Sequence, residues 1–235
     1  MSFILNQYQQ PIGTPLPDWK PGQWPSQLVI EGQYCRLERL TPKTHTLDLY
    51  EANTINKDDR NWTYLPYGPF QDLQKFSEWI EDMAAQKDPY FYTVIDLATN
   101  KAVGIASLMS IFPEKGSIEI GHINFSPLLQ KTIAATETLY LLMNYAFELG
   151  YRRLEWKCDH LNEPSRLAAR RLGFQFEGTF RQATVYKGRT RDTDWFSILD
   201  SEWISLKEAF NKWLDAKNFN NKIQIHSLSD LIKNK

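Results

Sequence analysis

The segment of residues 130–136, which reads QKTIAAT, has the residue types of an anion-binding site. It lies between an apparent strand and an amphipathic helix, and Lys131 is its one charged residue. A helix N-terminus leaves about four backbone N–H groups unpaired and carries roughly half a positive charge. Because the side chains in front of this helix are small, a pyrophosphate could approach those groups. An ordinary helix start with small residues for packing explains the same pattern.

Several side chains of this segment could add contacts to such an anion. Gln130 can donate from its amide, and Thr132 and Thr136 can donate from their hydroxyl groups. Ala134 and Ala135 leave the backbone accessible. The segment is therefore a candidate diphosphate site, and its interpretation depends on the elements around it.

The strand before the segment, residues 117–125, changes its hydrophobic phase half-way. Ile118 and Ile120 occupy one phase, whereas Ile123 and Phe125 occupy the other. A strand has a side-chain period of two, so its phase changes only where a residue is inserted or the chain bends. The pattern predicts a β-bulge at the Gly-His dipeptide between the two halves, with a gap in the sheet beside it.

Strand and helix patterns alternate along most of the chain. The predicted strands are residues 33–40, 91–96, 102–112, 117–125 and 153–157, and a hairpin pairs 176–186 with 194–199. The predicted helices are residues 44–56, a helix capped by Asp72, a helix with a buried stripe from Leu139 to Leu149, and a helix from Asn162 to Gly173. The order of strand, helix and strand over residues 117–157 is a crossover unit, so those two strands are expected to be parallel neighbours.

The two ends of the chain differ from this pattern. Residues 1–28 are expected to form an extended arm, because five prolines lie between Tyr8 and Pro25. Trp19 and Trp24 carry enough apolar surface that we expect the arm to pack on the domain. Residues 29–205 are predicted to form that domain, and residues 206–235 a helical C-terminal extension without recognisable chemistry.

The composition excludes several classes of function. The chain has 27 Lys and Arg against 28 Asp and Glu, so its charge does not favour nucleic acid or an anionic membrane as a partner. No segment approaches the roughly 18 apolar residues of a membrane helix. The two cysteines have no metal-site spacing and suggest no disulfide framework. A reducing cytoplasm is the simplest setting for such a chain.

The motifs together resemble the GNAT superfamily of acetyl-coenzyme A (acetyl-CoA)-dependent acyltransferases. They are a bulged strand, a Gln-x-x-x-Ala-Ala junction, a helix, a strand, an Asn-x-x-Ser motif and RLGF, carried by EIGHINFSPLLQKTIAATE, WKCDHLNEPSRLAARRLGFQFEG and FRQATVYKGRTRDTDWFSIL. The resemblance covers roughly residues 33–203 and is strongest to the branch of Rim-type ribosomal-protein N-terminal acetyltransferases. It implies an α/β (α+β) fold with a mixed, mostly antiparallel twisted sheet, a splayed parallel strand pair and flanking helices. It also implies acetyl-CoA as the cosubstrate, and no metal.

One position departs from the family pattern. Ile133 stands where the junction usually has its first glycine. A branched side chain restricts the backbone there and could crowd the pyrophosphate, which would lower the affinity for the cofactor. The neighbouring threonines could compensate.

The resemblance also implies where the rest of the cofactor lies. In the family the pantetheine arm pairs with the splayed strand, which places backbone groups of Ile123, Asn124 and Phe125 along it. A backbone N–H just past the bulge would stabilise the thioester oxygen. The residues of the junction, Gln130, Lys131, Thr132, Ile133, Ala134, Ala135 and Thr136, would hold the diphosphate.

Direct acetyl transfer requires a base for the amine and a proton for the departing thiolate. Glu119, on the bulged strand, is the first candidate base and His122 the second, although a strand glutamate is often only solvent-facing. Asn162 and Ser165 match the Asn-x-x-Ser motif, in which the asparagine contacts pantetheine and the serine lies near the sulfur. Both also suit a simple helix start. Tyr186 is an alternative acid.

The acceptor would enter through the loop between the first two helices. Trp62, Tyr64, Tyr67 and Phe70 lie in this loop and could bind a cationic amine or an apolar group, or could belong to the core. Cys158 has no neighbouring base in the sequence, so a nucleophilic role is not expected.

Three functions stay open at this point. The first is an N-acetyltransferase for a primary amine of a small molecule or of a protein N-terminus. The second is a non-catalytic acyl-CoA-binding module, and the third is an interaction protein that has lost its ligand site. The sequence does not identify the acceptor or the oligomeric state, for which a homodimer is one option.

Overall fold

An eight-stranded mixed sheet is the centre of the fold. The structure is a computed structural model, and it describes residues 3–56, 58–221 and 223–233. Residues 1–2 of the predicted arm and residues 222 and 234–235 of the predicted extension lie outside the described residues. The strands are β1 Phe3–Leu5, β2 Pro11–Gly13, β3 Val29–Glu31, β4 Cys35–Arg39, β5 Tyr90–Asp96, β6 Lys101–Phe112, β7 Ser117–Phe125, β8 Arg153–Asp159, β9 Gln175–Tyr186, β10 Arg189–Leu199, β11 Phe219–Asn220 and β12 Ile223–Gln224. The helices are α1 Pro42–Asn53, α2 Leu73–Ala85, α3 Ile133–Glu148, α4 Glu163–Arg171, α5 Asp200–Leu214 and α6 Leu228–Lys233.

The order of strands in the large sheet is β3-β4-β5-β6-β7-β8-β10-β9. Every neighbouring pair in it is antiparallel except β7 and β8, which are parallel. The predicted fold class and the predicted crossover through α3 are therefore confirmed. None of the helices in the described ranges is long and apolar enough to cross a membrane.

The boundaries of several predicted elements differ from the observed ones: β4, predicted over residues 33–40, spans Cys35–Arg39, and α1, predicted to end at residue 56, ends at Asn53. Helix α1 begins at Pro42, two residues before the predicted start, because proline suits the first helical turn. Strand β8 extends two residues beyond the predicted end, to Asp159. Strand β10 begins at Arg189 rather than Asp194, since its first residues are polar on both faces and give no hydrophobic alternation.

The bulge predicted in β7 is present. Ile105 of β6 pairs with Asn124, whereas Ser107 pairs with Gly121, so β7 has one residue more than β6 in this interval. His122 lies inside the bulge with a φ of +50°, in the left-handed region. A Cβ at Gly121 would overlap the sulfur of Met109, so a larger residue here would require the Met109 side chain to move.

The parallel pairing of β7 with β8 is short. It comprises Ser117 with Arg153, Ile118 with Leu154 and Glu119 with Glu155. Beyond Glu119 both strands continue, β7 to Phe125 and β8 to Asp159, without pairing to each other. The predicted splayed pair is thus confirmed, and it opens a slot directly in front of α3.

Two hydrophobic cores lie on opposite faces of the sheet. The main core contains α3 and α5, and residues beyond the predicted domain boundary at 205 belong to it, including Phe210 and Trp213. Glu137 of α3 is buried and accepts hydrogen bonds from the backbone N–H groups of Gln33, Tyr34 and Cys35, at 2.7 to 2.8 Å. This carboxylate fixes α3 to the start of β4.

Part of the arm packs on the domain. The Tyr145 hydroxyl accepts hydrogen bonds from the backbone N–H groups of Ser26 and Gln27. Trp19 packs close to Gly116, whereas Trp24 is half exposed. The hairpin of β1 and β2 is exposed along its length.

His122 packs against the second core, between α1, α2 and the sheet. Its Nδ1 is hydrogen-bonded to the Tyr67 hydroxyl at 2.9 Å, and its ring stacks on the Tyr67 ring. Burial lowers the pKa of His122 from its ordinary 6.5 to about 4. The imidazole is therefore neutral in the folded protein over a pH range in which it takes up a proton in the unfolded chain.

This difference predicts that the folded protein loses stability as pH falls from about 7 to 4. The unfolded chain binds the proton first, so the free energy of unfolding should fall by roughly 3 kcal/mol from this residue alone. His122→Asn should reduce that loss, because asparagine tolerates positive φ and does not titrate. Urea unfolding at a series of pH values measures the effect, and His226→Asn, at an exposed histidine, is the control. Equal pH slopes for the wild type and His122→Asn would contradict the prediction.

Candidate active site

A cleft of about 980 Å³ opens where β7 and β8 separate. Its walls come from β6, β7, β8, β9, β10, the loop of residues 60–66 and the start of α4. Seven residues predicted for the site line it: Tyr64, Glu119, His122, Ile123, Gln130, Asn162 and Ser165. The splayed strands therefore bring together the predicted base, the Asn-x-x-Ser motif and one residue of the aromatic loop.

The alternation of side chains along β8 divides the cleft into two sides. Trp156 packs on Phe174 of the main core, and its Nε1 donates to Ser165 at the start of α4. Lys157, one residue later, faces the opposite side, where its Nζ lies 4.1 Å from the centre of the Trp195 ring. The side facing α4 therefore holds the Asn-x-x-Ser motif, and the opposite side holds Lys157 with β10.

Glu119 lies at the point where the strands separate. Its side chain is 7% exposed, and its Oε2 accepts hydrogen bonds from Lys157 Nζ at 2.8 Å and from the Ser110 hydroxyl at 3.1 Å. Lys157 also contacts Glu155 at 2.8 Å. Among the residues that the structure describes, none forms a hydrogen bond with Oε1 of Glu119.

The environment of Glu119 shifts its pKa upward. Burial raises the pKa above the ordinary value of the carboxyl group. The charge of Lys157 and the hydrogen bonds from Lys157 and Ser110 oppose this rise. A carboxylate whose pKa is raised toward neutral pH is a more effective general base than an exposed one. His122, in contrast, has a pKa lowered to about 4 by burial and is a weak base. The directions of the two pKa shifts thus favour Glu119 over His122 as the group that removes a proton.

The Asn-x-x-Ser motif lies at the start of α4. The Asn162 side chain accepts a hydrogen bond from the backbone N–H of Ser165 at 3.2 Å and caps the helix. The Ser165 hydroxyl accepts from Trp156 Nε1 at 3.1 Å and lies within hydrogen-bonding reach of Cys158. Burial raises the pKa of the Cys158 thiol to about 11, so this thiol stays protonated at neutral pH.

Tyr186 is directed to a neighbouring carboxylate. Its hydroxyl donates to Asp159 at 2.8 Å, and burial raises its pKa to about 12. Asp159 lines the cleft, whereas Tyr186 is not among the described residues of its wall. Ser165 is consequently the better placed of the two predicted proton donors.

The junction before α3 uses its polar side chains within the protein. The Thr132 hydroxyl donates to the Leu129 carbonyl at 2.7 Å and accepts from the Ala135 N–H at 3.1 Å. The Gln130 amide donates to Asn61 and to the Phe125 carbonyl, at 3.1 and 2.7 Å. Either side chain must exchange these hydrogen bonds before it can donate to a diphosphate.

The remaining junction residues divide between the surface and the core. Lys131 is exposed and has a φ of +62°. Ile133 packs against the main core, and Ala134 is buried. The Thr136 hydroxyl accepts a hydrogen bond from Arg171 at 3.1 Å and is buried. Of the predicted diphosphate contacts, residues 130–132 are exposed, Ile133 and Ala135 are partly buried, and Ala134 and Thr136 are buried.

Most of the aromatic loop belongs to the second core. Trp62, Tyr67 and Phe70 pack with one another and with Trp79 at ring distances of 4.7 to 6.3 Å. Tyr64 alone of the four predicted aromatic contacts lines the cleft, and its hydroxyl donates to the Leu161 carbonyl at 3.0 Å. The loop therefore closes over the cleft rather than presenting an aromatic cage.

Many residues of the cleft were not singled out from the sequence, and three of them bear on the proposed chemistry. Lys157 and Ser110 contact the predicted base, and Arg191 lines the wall formed by β10. The signal for Lys157 was its position in the run WKCD, whose alternate residues face opposite sides. The described residues contain no cluster of three or more His, Cys, Asp or Glu side chains able to hold a metal ion.

Comparison with known proteins agrees with this geometry. The profile of the acetyltransferase (GNAT) domain family matches residues 36–175. A GCN5-related N-acetyltransferase structure from Brucella melitensis is 43% identical and superposes with a TM-score of 0.91, over 93% of this chain and all of that one. An uncharacterized N-acetyltransferase p20 from Bacillus licheniformis is 28% identical over 71% of this chain and 96% of its own length.

The likeness to ribosomal-protein enzymes is one of fold. The structure of a Salmonella typhimurium acetyltransferase, which modifies the N-terminal serine of a 50S ribosomal subunit protein, has 21% identity and a TM-score of 0.60. It covers 72% of this chain and 96% of that one. The family profile matches more than half of this chain, which also has the splayed strands and the cleft. This chain therefore belongs to the GNAT acetyltransferase family.

Proposed function

We propose that this enzyme transfers an acetyl group from acetyl-CoA directly to a primary amine, which is carried by a small molecule or by a protein N-terminus. The observation that carries the proposal is the position of Glu119, a buried carboxylate at the point where β7 and β8 stop pairing. One of its oxygens is held by Lys157 and Ser110, which leaves Oε1 to face a substrate. Direct transfer is also supported by the high pKa of Cys158, which makes this thiol unsuited to carry the acetyl group.

The residues around the slot fit the cofactor that family members use. Between the unpaired parts of β7 and β8 a pantetheine chain could pair with the backbone of Ile123, Asn124 and Phe125. The head of α3, residues 130–136, would hold the diphosphate, with Lys131 adding a positive charge. Asn162 would contact the pantetheine from the start of α4. Acetyl-CoA supplies the acetyl group as a thioester.

The side chains then have separate tasks. Glu119 accepts the proton of the amine, whose nitrogen forms the new bond to the acetyl carbon as the carbon–sulfur bond breaks. A backbone N–H next to the bulge stabilises the oxygen on which charge develops. The Ser165 oxygen already accepts a hydrogen bond from Trp156 Nε1, so its own hydrogen is available. The hydroxyl donates this hydrogen bond to the departing sulfur. His122 and Tyr67 hold the bulge in place.

The direct test is cofactor binding together with turnover. Acetyl-CoA at about 100 times its dissociation constant should stabilise the protein by about 2.7 kcal/mol, seen as a rise in Tm. Free thiol should then be released in the presence of a panel of primary amines, amino acids and N-terminal peptides. Stabilisation without thiol release for any amine would favour the binding-module hypothesis, and no stabilisation would contradict the proposed cofactor site.

Replacement of the proposed base tests the chemical step. Glu119→Gln should lower kcat by about 100-fold or more and leave the stabilisation by acetyl-CoA nearly unchanged, because general base catalysis contributes about 10²–10⁴-fold. Glu155→Gln is a matched control, since Glu155 contacts the same lysine and does not line the described cleft. A Glu119→Gln enzyme with wild-type kcat would exclude Glu119 from this role.

The ion pair with Lys157 predicts a shift of the pH–rate profile. The base must be deprotonated, so the rate rises with pH as Glu119 ionises, and Lys157 lowers the pKa of Glu119. Lys157→Met should therefore move the acidic limb of kcat/KM to higher pH, whereas Lys157→Arg should keep it near the wild-type position. An acidic limb at the same pH in Lys157→Met would show that another group acts as the base.

A further inference from the structure

The cleft has three cations in its described wall, and they differ in their partners. Lys157 contacts the carboxylates of Glu119 and Glu155. Arg60 lies at the rim with its side chain 81% exposed, and its Nε contacts Asp58 at 2.8 Å. Arg191 is half-buried, and none of the carboxylates in the described part of the chain lies within 4.0 Å of it. Arg191 is thus the cation of the described cleft wall without a protein carboxylate.

The position of the Arg191 guanidinium is nevertheless fixed by its neighbours. Its Nε donates to the Thr193 hydroxyl at 3.0 Å, and its centre lies 5.8 Å from the centre of the Tyr186 ring. No described residue accepts a hydrogen bond from its two terminal amino groups. These two groups form the fork that binds a carboxylate through two parallel hydrogen bonds.

Asp159, an acid on the same face, does not use this fork. Asp159, which pairs in register with Thr193, accepts hydrogen bonds from the Leu161 N–H at 2.9 Å and from the Tyr186 hydroxyl at 2.8 Å. Both of its oxygens therefore have donors from other residues. The half-buried guanidinium of Arg191 faces an open cleft and has no protein carboxylate as a partner among the described residues. Such a group can bind an anionic group of a ligand.

Arg191 also lies on the side of the cleft where Lys157 contacts the proposed base, Glu119. The residues Arg191, Thr193 and Trp195 alternate along β10 and all line the cleft, on the same face as Lys157. Thr193 lies two residues, or about 7 Å, from Trp195 along β10. The Nζ of Lys157, which contacts Glu119, lies over the Trp195 ring. Arg191 and Glu119 thus lie two strands apart in the sheet and face the same cleft, where one ligand can contact both.

We propose that Arg191 binds a carboxylate of the acceptor, so that the preferred substrate is a primary amine that also bears a carboxylate. This inference rests on the proposed function, since it assigns the acceptor of the same site. The carboxylate has two sources, namely a free amino acid or an acidic side chain beside a protein N-terminus. Both present the same chemistry to the guanidinium fork.

The experiment compares acceptors that differ in this charge, with kcat/KM expressed for the unprotonated amine because an amide lowers the pKa of the neighbouring amine. One pair is an α-amino acid and its carboxamide, and the other is an N-terminal peptide with aspartate or asparagine at its second position. The wild type should prefer the acid over the amide by about 10- to 100-fold in kcat/KM, mainly through KM. In Arg191→Gln the two members of each pair should become equivalent, and Arg191→Lys should restore part of the preference. The pair with the larger preference identifies the source.

The control is Arg60→Gln, which removes the same charge from a side chain already paired with Asp58 and should keep the preference. Equal rates for acid and amide in the wild type, or a preference that persists in Arg191→Gln, would overturn the inference. A second readout does not require turnover: with CoA present, the N-acetylated amino acid should raise Tm more than its amide, and Arg191→Gln should abolish the difference. An enzyme that turns over no amine and yet shows this difference would contradict the proposed function while supporting the carboxylate site.

Discussion

The site depends on the extra residue at His122 in β7. Because β6 and β7 pair on both sides of it, the additional residue must leave the ladder, and the strand bends at that point. Pairing between β7 and β8 ends at Glu119, just before the bulge. One inserted residue therefore determines both the slot for a chain-like ligand and the position of the carboxylate at its end.

The same strands give the cleft two chemically different sides. Side chains that alternate along β8 direct Trp156 and Cys158 toward α4 and direct Lys157 and Asp159 away from it. The side near α4 carries neutral donors and acceptors, with Asn162 and Ser165 at the helix start. The opposite side carries the charged groups. The Asn-x-x-Ser motif and the carboxylate site that we propose at Arg191 therefore lie on opposite sides of the cleft.

The sequence predicted those features that depend on local order. The bulge followed from a change of phase within one strand, and the parallel pair followed from the order of strand, helix and strand. The contact of Lys157 with Glu119 could not be predicted in the same way, because it joins residues 38 positions apart and depends on the register of β7 with β8. The aromatic loop was ambiguous because the same residues suit a core or a binding wall, and three of its four aromatic residues became core.

Arg191 shows why the charged side of the cleft is hard to recognise in one sequence. The segment before Asp194 is polar at nearly every position and reads as a turn, so the predicted strand began too late. In the structure, the first residues of β10, Arg189 to Arg191, form strand pairs with β9. The register of this pairing shifts between Arg191 and Thr193. A strand of this kind is held by its neighbours rather than by its own hydrophobic pattern. The polar side chains of its first residues are therefore not needed for the core, and Arg191 can face the cleft.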